Sequence, residues 1–171
     1  MKKAVSLFAL LLLQVCFFAV SAHADTLDEV LKKTCVIRSA MDNGYVIDVD
    51  GGGTKDGTNI QLYRYNGTPA QKFVISRTKG GYYKIVNRKS RKAIDVSDGE
   101  AGKGVNVQIW EQNWSDAQMF RFEDAGDGYY YIRNKLGYCL DVYKAKCVDG
   151  ANIQTFTRNG GNNQKWLLTL D

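Results

Sequence analysis

Three aspartates, Asp48, Asp95 and Asp141, recur at intervals of 47 and 46 residues, each inside a short apolar run. Thirteen residues after each stands a glutamine (Gln61, Gln108, Gln154), fifteen after it an aromatic ring (Tyr63, Trp110, Phe156), and eighteen after it an asparagine (Asn66, Asn113, Asn159). A carboxylate accepts hydrogen bonds from two neighbouring hydroxyls, a flat ring stacks on an apolar face, and a side-chain amide both donates and accepts. Such a set suits a ligand with an apolar C–H face and a rim of hydroxyls, the chemistry of a saccharide ring. By strand alternation Asp48, Gln61 and Tyr63 face out, and the glutamines stand near enough to orient the aspartates.

Other chemistries lack their residues. The one histidine, His23, precedes the repeats, so the rest of the chain holds no imidazole for a triad, a general base or a metal ligand. A carboxylate pair hydrolyses glycosides only when the two groups flank one bond, whereas these aspartates belong to separate repeats. Three cysteines, Cys35, Cys139 and Cys147, do not make a zinc site without a fourth ligand. No glycine loop precedes a helix to cradle a phosphate. The reading is of a binding module with no cofactor and no metal, and not an enzyme. The net charge of +5, of which Lys2 and Lys3 supply two, is interspersed with acidic residues and gives no basic stripe for nucleic acid.

The elements that must position these residues are read from the same repetition. Val46-Ile47-Asp48-Val49 returns as Ala93-Ile94-Asp95-Val96 and Cys139-Leu140-Asp141-Val142, and each copy ends on Gln71-Lys72-Phe73, Gln118-Met119-Phe120 or Gln164-Lys165-Trp166. Period-2 runs of Val, Ile, Tyr and Phe between Gly, Asn and Asp clusters mark half-buried strands of an all-β domain. Lys79-Gly80-Gly81 and Gly126-Asp127-Gly128 read as hairpin turns. They lead into strands at Tyr82-Tyr83-Lys84-Ile85 and Tyr129-Tyr130-Tyr131-Ile132, matched in the first copy by Cys35-Val36-Ile37-Arg38. Ile47, Val49, Ile60 and Leu62 point inward with Phe73, Phe120 and Trp166. One copy cannot bury its apolar face alone, while three closed around an axis can.

On these motifs the chain, over about residues 34–171, resembles the ricin-type β-trefoil lectins, the QxW repeat family that includes the family 13 carbohydrate-binding modules. The resemblance implies a β-trefoil of three repeats with pseudo-threefold symmetry, in which a six-stranded barrel is capped by three hairpins and each repeat presents a shallow sugar pocket. Asp48, Gln61, Tyr63 and Asn66 would form the first pocket, Asp95, Gln108, Trp110 and Asn113 the second, and Asp141, Gln154, Phe156 and Asn159 the third. The family's sugar-contacting Asn directly before the QxW glutamine is present as Asn163 only; Ala70 and Ala117 stand in the other repeats. Gln71, Gln118 and Gln164 read first as scaffold. A few exposed hydrogen bonds and one stacked ring give each pocket an affinity on the order of millimolar, so the expected partner is a polysaccharide or a cell-surface glycan engaged at several pockets. The alternative is a protein-binding β-trefoil with vestigial sugar sites: an inhibitor, a toxin's receptor-binding subunit or a host-interaction factor.

Lys2 and Lys3, the apolar run from Ala4 to Val20 and the Ala22-His23-Ala24 ending read as a signal peptide over residues 1–24. The expectation is therefore a secreted or periplasmic protein cleaved near Ala24, with no membrane insertion of the mature chain and a separately encoded toxin or enzyme as a conceivable partner. Residues 25–33 form a short N-terminal segment of one or two helical turns. Spacing permits a Cys139–Cys147 disulfide or a bond from Cys35 to either, with Cys35 preferred as a small buried hydrophobe. Asn66-Gly67-Thr68 and Asn113-Trp114-Ser115 also match the glycosylation pattern.

Overall fold

A computed structural model describes residues 25–171. Residues 1–24, the expected signal peptide with His23 and the expected cleavage near Ala24, lie outside the described residues. Each repeat contributes four strands. The first gives β1 (Thr34–Ser39), β2 (Tyr45–Val49), β3 (Thr58–Arg64) and β4 (Phe73–Arg77); the second gives β5 (Tyr83–Asn87), β6 (Ala93–Val96), β7 (Val107–Trp110) and β8 (Phe120–Asp124). The third gives β9 (Tyr129–Asn134), β10 (Cys139–Val142), β11 (Ala151–Phe156) and β12 (Lys165–Leu170).

Pairing closes twice. Antiparallel ladders run β1–β4–β5–β8–β9–β12 and back to β1, a six-stranded barrel with no free edge. The hairpins β2–β3, β6–β7 and β10–β11 form the cap, joined to one another through β3–β7, β3–β11 and the Asn106–Gln154 bridge. This is a β-trefoil, as the family resemblance implies.

The apolar alternation fills the interior. Ile47, Val49, Ile60, Leu62, Phe73, Phe120 and Trp166 are all fully buried, and truncating one of the aromatics to Ala costs about 3–5 kcal/mol. On the axis of the cap the side chains of Asn59, Asn106 and Asn152 close a ring: Asn59 donates to Asn152, Asn152 to Asn106 and Asn106 to Asn59, at 2.9, 3.0 and 2.9 Å. Gly57, Gly104 and Gly150, each at a φ near 80°, lie against Gln108, Gln154 and Gln61 of the neighbouring repeats. Only glycine takes that left-handed conformation cheaply.

Residues 25–33 dock on the barrel. Leu27–Val30 form one helical turn, α1, capped by Thr26, whose backbone N–H donates to the Glu29 carboxylate at 2.7 Å. Val30 is fully buried and Leu31 bridges to Ile75. Cys35, Cys139 and Cys147 are free thiols, so none of the three disulfides that the spacing permitted is formed. Cys35 and Cys139 are buried core residues on β1 and β10, which leaves them packed as hydrophobes. Burial pushes the Cys35 thiol up to about 12 and the Cys139 thiol to about 11, the latter also raised by Glu123. Thiols so placed are inert.

Candidate functional site

Each cap hairpin brings an aspartate and a glutamine directly opposite one another, Asp48 with Gln61, Asp95 with Gln108 and Asp141 with Gln154. The glutamine Nε2 donates to the aspartate Oδ1 at 3.0, 3.2 and 3.1 Å. Alternation places these pairs on the non-core face of the hairpin, and there the sequence expectation needs correction. Asp48, Asp95 and Asp141 are only 3–5% exposed and the glutamines 6–8%. They face a cleft rather than open solvent, because a 3-10 turn from the far end of each repeat folds over them: Pro69–Gln71, Asp116–Gln118 and Asn162–Gln164. Of the outward set in the first repeat, Tyr63 alone lies open.

The fully buried Gln71, Gln118 and Gln164 hold that cover in place. Gln118 donates through Nε2 to the Glu111 carbonyl at 2.9 Å and to Asp95 Oδ2 at 3.0 Å, and its Oε1 accepts from the Asn113 N–H at 2.8 Å. Gln164 repeats all three contacts, on Thr157, Asp141 and Asn159. Gln71 binds the Arg64 carbonyl and the Asn66 N–H in the same way. These residues act as the scaffold that the sequence suggests. The asparagine each one anchors is fixed further, since Asn66, Asn113 and Asn159 accept through Oδ1 from the backbone N–H two residues on, at 3.0, 2.8 and 2.8 Å. That leaves each Nδ2 as a donor at the cleft rim.

Three clefts of about 450, 230 and 320 Å³ result, one per repeat, and each is lined by its own Asp, Gln, aromatic and Asn. Tyr63 and Trp110 are 37% and 41% exposed at their mouths. Phe156 is half-buried, with the Lys103 ammonium 5.5 Å from its ring centre. Asn163 lines the third cleft and donates to Asp141 Oδ2 at 2.5 Å; Ala70 and Ala117 occupy its place in the other two. Burial raises the carboxyl pKa of all three aspartates, against the lowering effect of their amide donors, and nearby carboxylates add to the rise at Asp48 and Asp95.

One wall of each cleft escaped the sequence reading. It is the turn three and four residues past the aspartate: Gly51 and Gly52, Asp98 and Gly99, Lys144 and Ala145. All six residues have a left-handed φ between 51° and 63°. The glycines of the first two copies carried a signal for that backbone, but the third copy replaces both.

Clefts with a hydroxyl acceptor, planar donors and an open ring define a lectin-type β-trefoil. The sequence matches the ricin-type beta-trefoil lectin domain-like family over residues 69–156 and 116–171, more than half of the chain, and the chain belongs to that family. Among solved structures it is similar to the designed threefold-symmetric protein ThreeFoil, at 35% identity and a TM-score of 0.77 over 81% of this chain and 98% of that one. It is also similar to an exo-β-1,3-galactanase from Clostridium thermocellum, at 34% identity and a TM-score of 0.78 over 81% of this chain; the match spans 30% of the galactanase. The ricin B-like lectin of Macrolepiota procera, solved in complex with lactose, shares the fold at 17% identity and a TM-score of 0.70, over 82% of this chain and 97% of that one. No curated protein sequence matches the chain. Among the described residues no helix is long and apolar enough to cross a membrane, and no group of three or more His, Cys, Asp or Glu is arranged to hold a metal ion.

Proposed function

We propose that this protein is a secreted lectin module that binds polysaccharide or clustered glycans through its three clefts, without catalysis of its own. The observation that carries this reading is the exposure of Trp110 and Tyr63 beside buried, amide-held aspartates. A ring kept at the surface next to a fixed acceptor costs the free protein apolar exposure and gains only when a ligand covers it. Asp95 Oδ1 and Oδ2 already accept from Gln108 and Gln118 and keep lone pairs for sugar hydroxyls, while Asn113 supplies a donor across the cleft.

Each aspartate sits in its own cleft on its own repeat, a layout for three binding events rather than for one bond flanked by two acids. The similarity to a stretch of a galactanase chain supports a carbohydrate ligand; a separately encoded enzyme or toxin partner is part of the proposal. The leader pattern of residues 1–24 supports export.

A glycan and polysaccharide array tests the reading with the mature protein beside a Tyr63→Ala/Trp110→Ala/Phe156→Ala variant. These rings lie at the cleft mouths and outside the fully buried core, so the variant keeps its fold, which circular dichroism checks. Binding that is lost in the variant is the expected result. An array with no bound glycan, or binding that the variant retains, transfers the proposal to a protein partner on the same scaffold.

A further inference from the structure

The barrel contains its own control for one unusual feature. At equivalent positions of three repeat-related ladders, β4–β5, β12–β1 and β8–β9, the directly opposed residues are Val74 with Val86, Leu167 with Arg38, and Arg121 with Arg133. Only the β8–β9 ladder sets two cations face to face, an arrangement that destabilises a sheet. Lys135 follows two residues beyond Arg133. The Tyr82 ring has the Arg121 guanidinium 4.2 Å from its centre and the Lys135 ammonium at 5.6 Å.

Carboxylates neutralise part of this cluster. Glu123 is shared between Arg133 at 3.4 Å and Arg158 at 3.5 Å, and Asp116 pairs with Lys135 at 2.6 Å. Arg121 has no carboxylate partner among the described residues; beyond the Tyr82 ring it reaches the Gly80 carbonyl, at 3.4 Å. Tyr82, Arg121, Glu123, Arg133, Asn134 and Lys135 line a groove of about 250 Å³, separate from the three clefts.

Asn134, the residue after Arg133, borders the groove but turns its side chain to the opposite face of β9, across from the fully buried Phe120. Asn134 is 3% exposed, its Oδ1 accepts from the Tyr138 N–H at 2.8 Å, and its Nδ2 has no hydrogen-bond partner. No other buried side-chain polar atom among the described residues lacks one. The sister residue Asn87 spends its Nδ2 on the carbonyls of Pro69, Ala70 and Lys72, at 3.0, 3.2 and 3.2 Å. An opposed arginine pair is costly, and an oxyanion held by both guanidinium groups would relieve it.

We propose that this groove is an anion site that takes a sulfate ester or carboxylate of an acidic polysaccharide. Guanidinium groups bind such oxyanions through paired N–H donors. The clefts of the first two repeats each add a second carboxylate at the rim, Asp50 and Asp98, which turns charged substituents away from them. A chain held by its neutral rings in the clefts thus has its acidic groups selected here. The saccharide source rests on the lectin reading; the anion site itself does not.

The test titrates inorganic sulfate and, separately, glucuronate into the mature protein at constant ionic strength, following by NMR the backbone amides of residues 120–122 and 132–134, which flank the arginine pair. Arg121→Val/Arg133→Val reproduces the Val74–Val86 pair of the sister ladder, so the variant folds, and its amide spectrum verifies this. The native protein gives a saturable shift, and the variant binds at least about tenfold more weakly. The anion that binds more tightly names the substituent. Affinity electrophoresis in dextran sulfate against dextran then shows extra retardation that the double variant loses. No saturable shift, or an equal shift in the variant, overturns the anion site and leaves the three clefts as they stand. If neutral glycans fail to bind while sulfate saturates, the lectin reading falls and the anion site remains.

Discussion

Replacing Gln118 with Met keeps the volume of a fully buried side chain and removes its three hydrogen bonds, to the Glu111 carbonyl, the Asn113 N–H and Asp95. At a net ~0.5–1.5 kcal/mol each, the loss spans about 1.5–4.5 kcal/mol. Glu111 and Asn113 are exposed loop residues, so water reaches their freed backbone groups and offsets part of the cost. Asp95 is buried and keeps Gln108 as its remaining amide donor. These considerations put the destabilisation at ~3 kcal/mol, or a fall in Tm of about 6–12 °C for a domain of this size. Urea unfolding followed by Trp166 fluorescence measures it, and the same variant loses ligand binding in the second cleft because Asn113 and Asp95 are no longer fixed. Gln164→Met, with the same three contacts, should cost the same, and the two should add within about 0.5 kcal/mol because they lie in separate repeats. A loss under about 0.5 kcal/mol for either single variant would refute the view that these glutamines hold the cleft cover.

Other perturbations have signs fixed by the geometry. Ala145 stands at φ 51° where the first two repeats have Gly52 and Gly99; relief of ~1–2 kcal/mol of left-handed strain against ~0.4–1 kcal/mol of added unfolded-state entropy makes Ala145→Gly more stable, by about 0.5 kcal/mol in urea melts. Asn106→Ala breaks two of the three bonds of the axial ring and leaves Asn59 and Asn152 each one partner short, a cost of about 1–3 kcal/mol by the same measurement. Asp48, Asp95 and Asp141, whose pKa burial raises above the ordinary value, cost stability while ionised, and that cost disappears as pH falls through the raised pKa toward the ordinary carboxylate range. Acidification therefore moves the unfolding free energy in favour of the native protein relative to a variant with all three changed to Asn, while glycan binding by the native protein declines over the same window; a shift toward the variant contradicts the assignment. Arg121→Val/Arg133→Val, besides losing the anion response, removes an opposed like-charge pair and should raise stability by ~0.2–1 kcal/mol at low salt, an increment that shrinks as salt is added.

What could be read before any coordinates follows from what repetition and alternation encode. Three copies of Asp, Gln and aromatic at constant offsets fix the hairpins β2–β3, β6–β7 and β10–β11 and their registers, since a slip of one residue would turn Ile47 and Val49 out of the core. The burial of Asp48 and Gln61 was not legible, because alternation reports which face a side chain takes and not what covers that face. The cover is a 3-10 turn more than twenty residues further along the chain. The strained wall at Lys144 and Ala145 was hidden for a related reason: these residue types carry no left-handed preference, and the backbone is imposed there by the fold. The opposed arginines were invisible because pairing β8 with β9 needs the exact strand register, and the docking of Val30 depends on a tertiary contact with no periodicity behind it.

The division between what is repeated and what varies separates scaffold from selectivity. Asp48, Asp95 and Asp141, their two glutamines and the rim asparagine are the same in all three copies; in each the hairpin glutamine donates to the aspartate and the asparagine N–H to the fully buried glutamine, and Gln118 and Gln164 also donate to theirs. What differs is what a ligand would meet: Tyr63, Trp110 or half-buried Phe156 as the platform, Ala70, Ala117 or Asn163 on the rim, and a glycine pair, Asp98 or Lys144 in the wall. If the copies served only to close the barrel, the buried amide network would have no reason to recur on the face turned away from the core, where an apolar pair packs at lower desolvation cost. Under the proposed lectin function, its retention beside a varied rim predicts three related sites with unequal ligand preferences. Chimeras decide this directly: Ala117→Asn supplies the second cleft with the donor that Asn163 gives the third, and should strengthen binding at that cleft alone by ~3–10-fold, the worth of one added hydrogen bond. Trp110 fluorescence reports that cleft, and an unchanged titration would mean that the rim position does not touch the ligand.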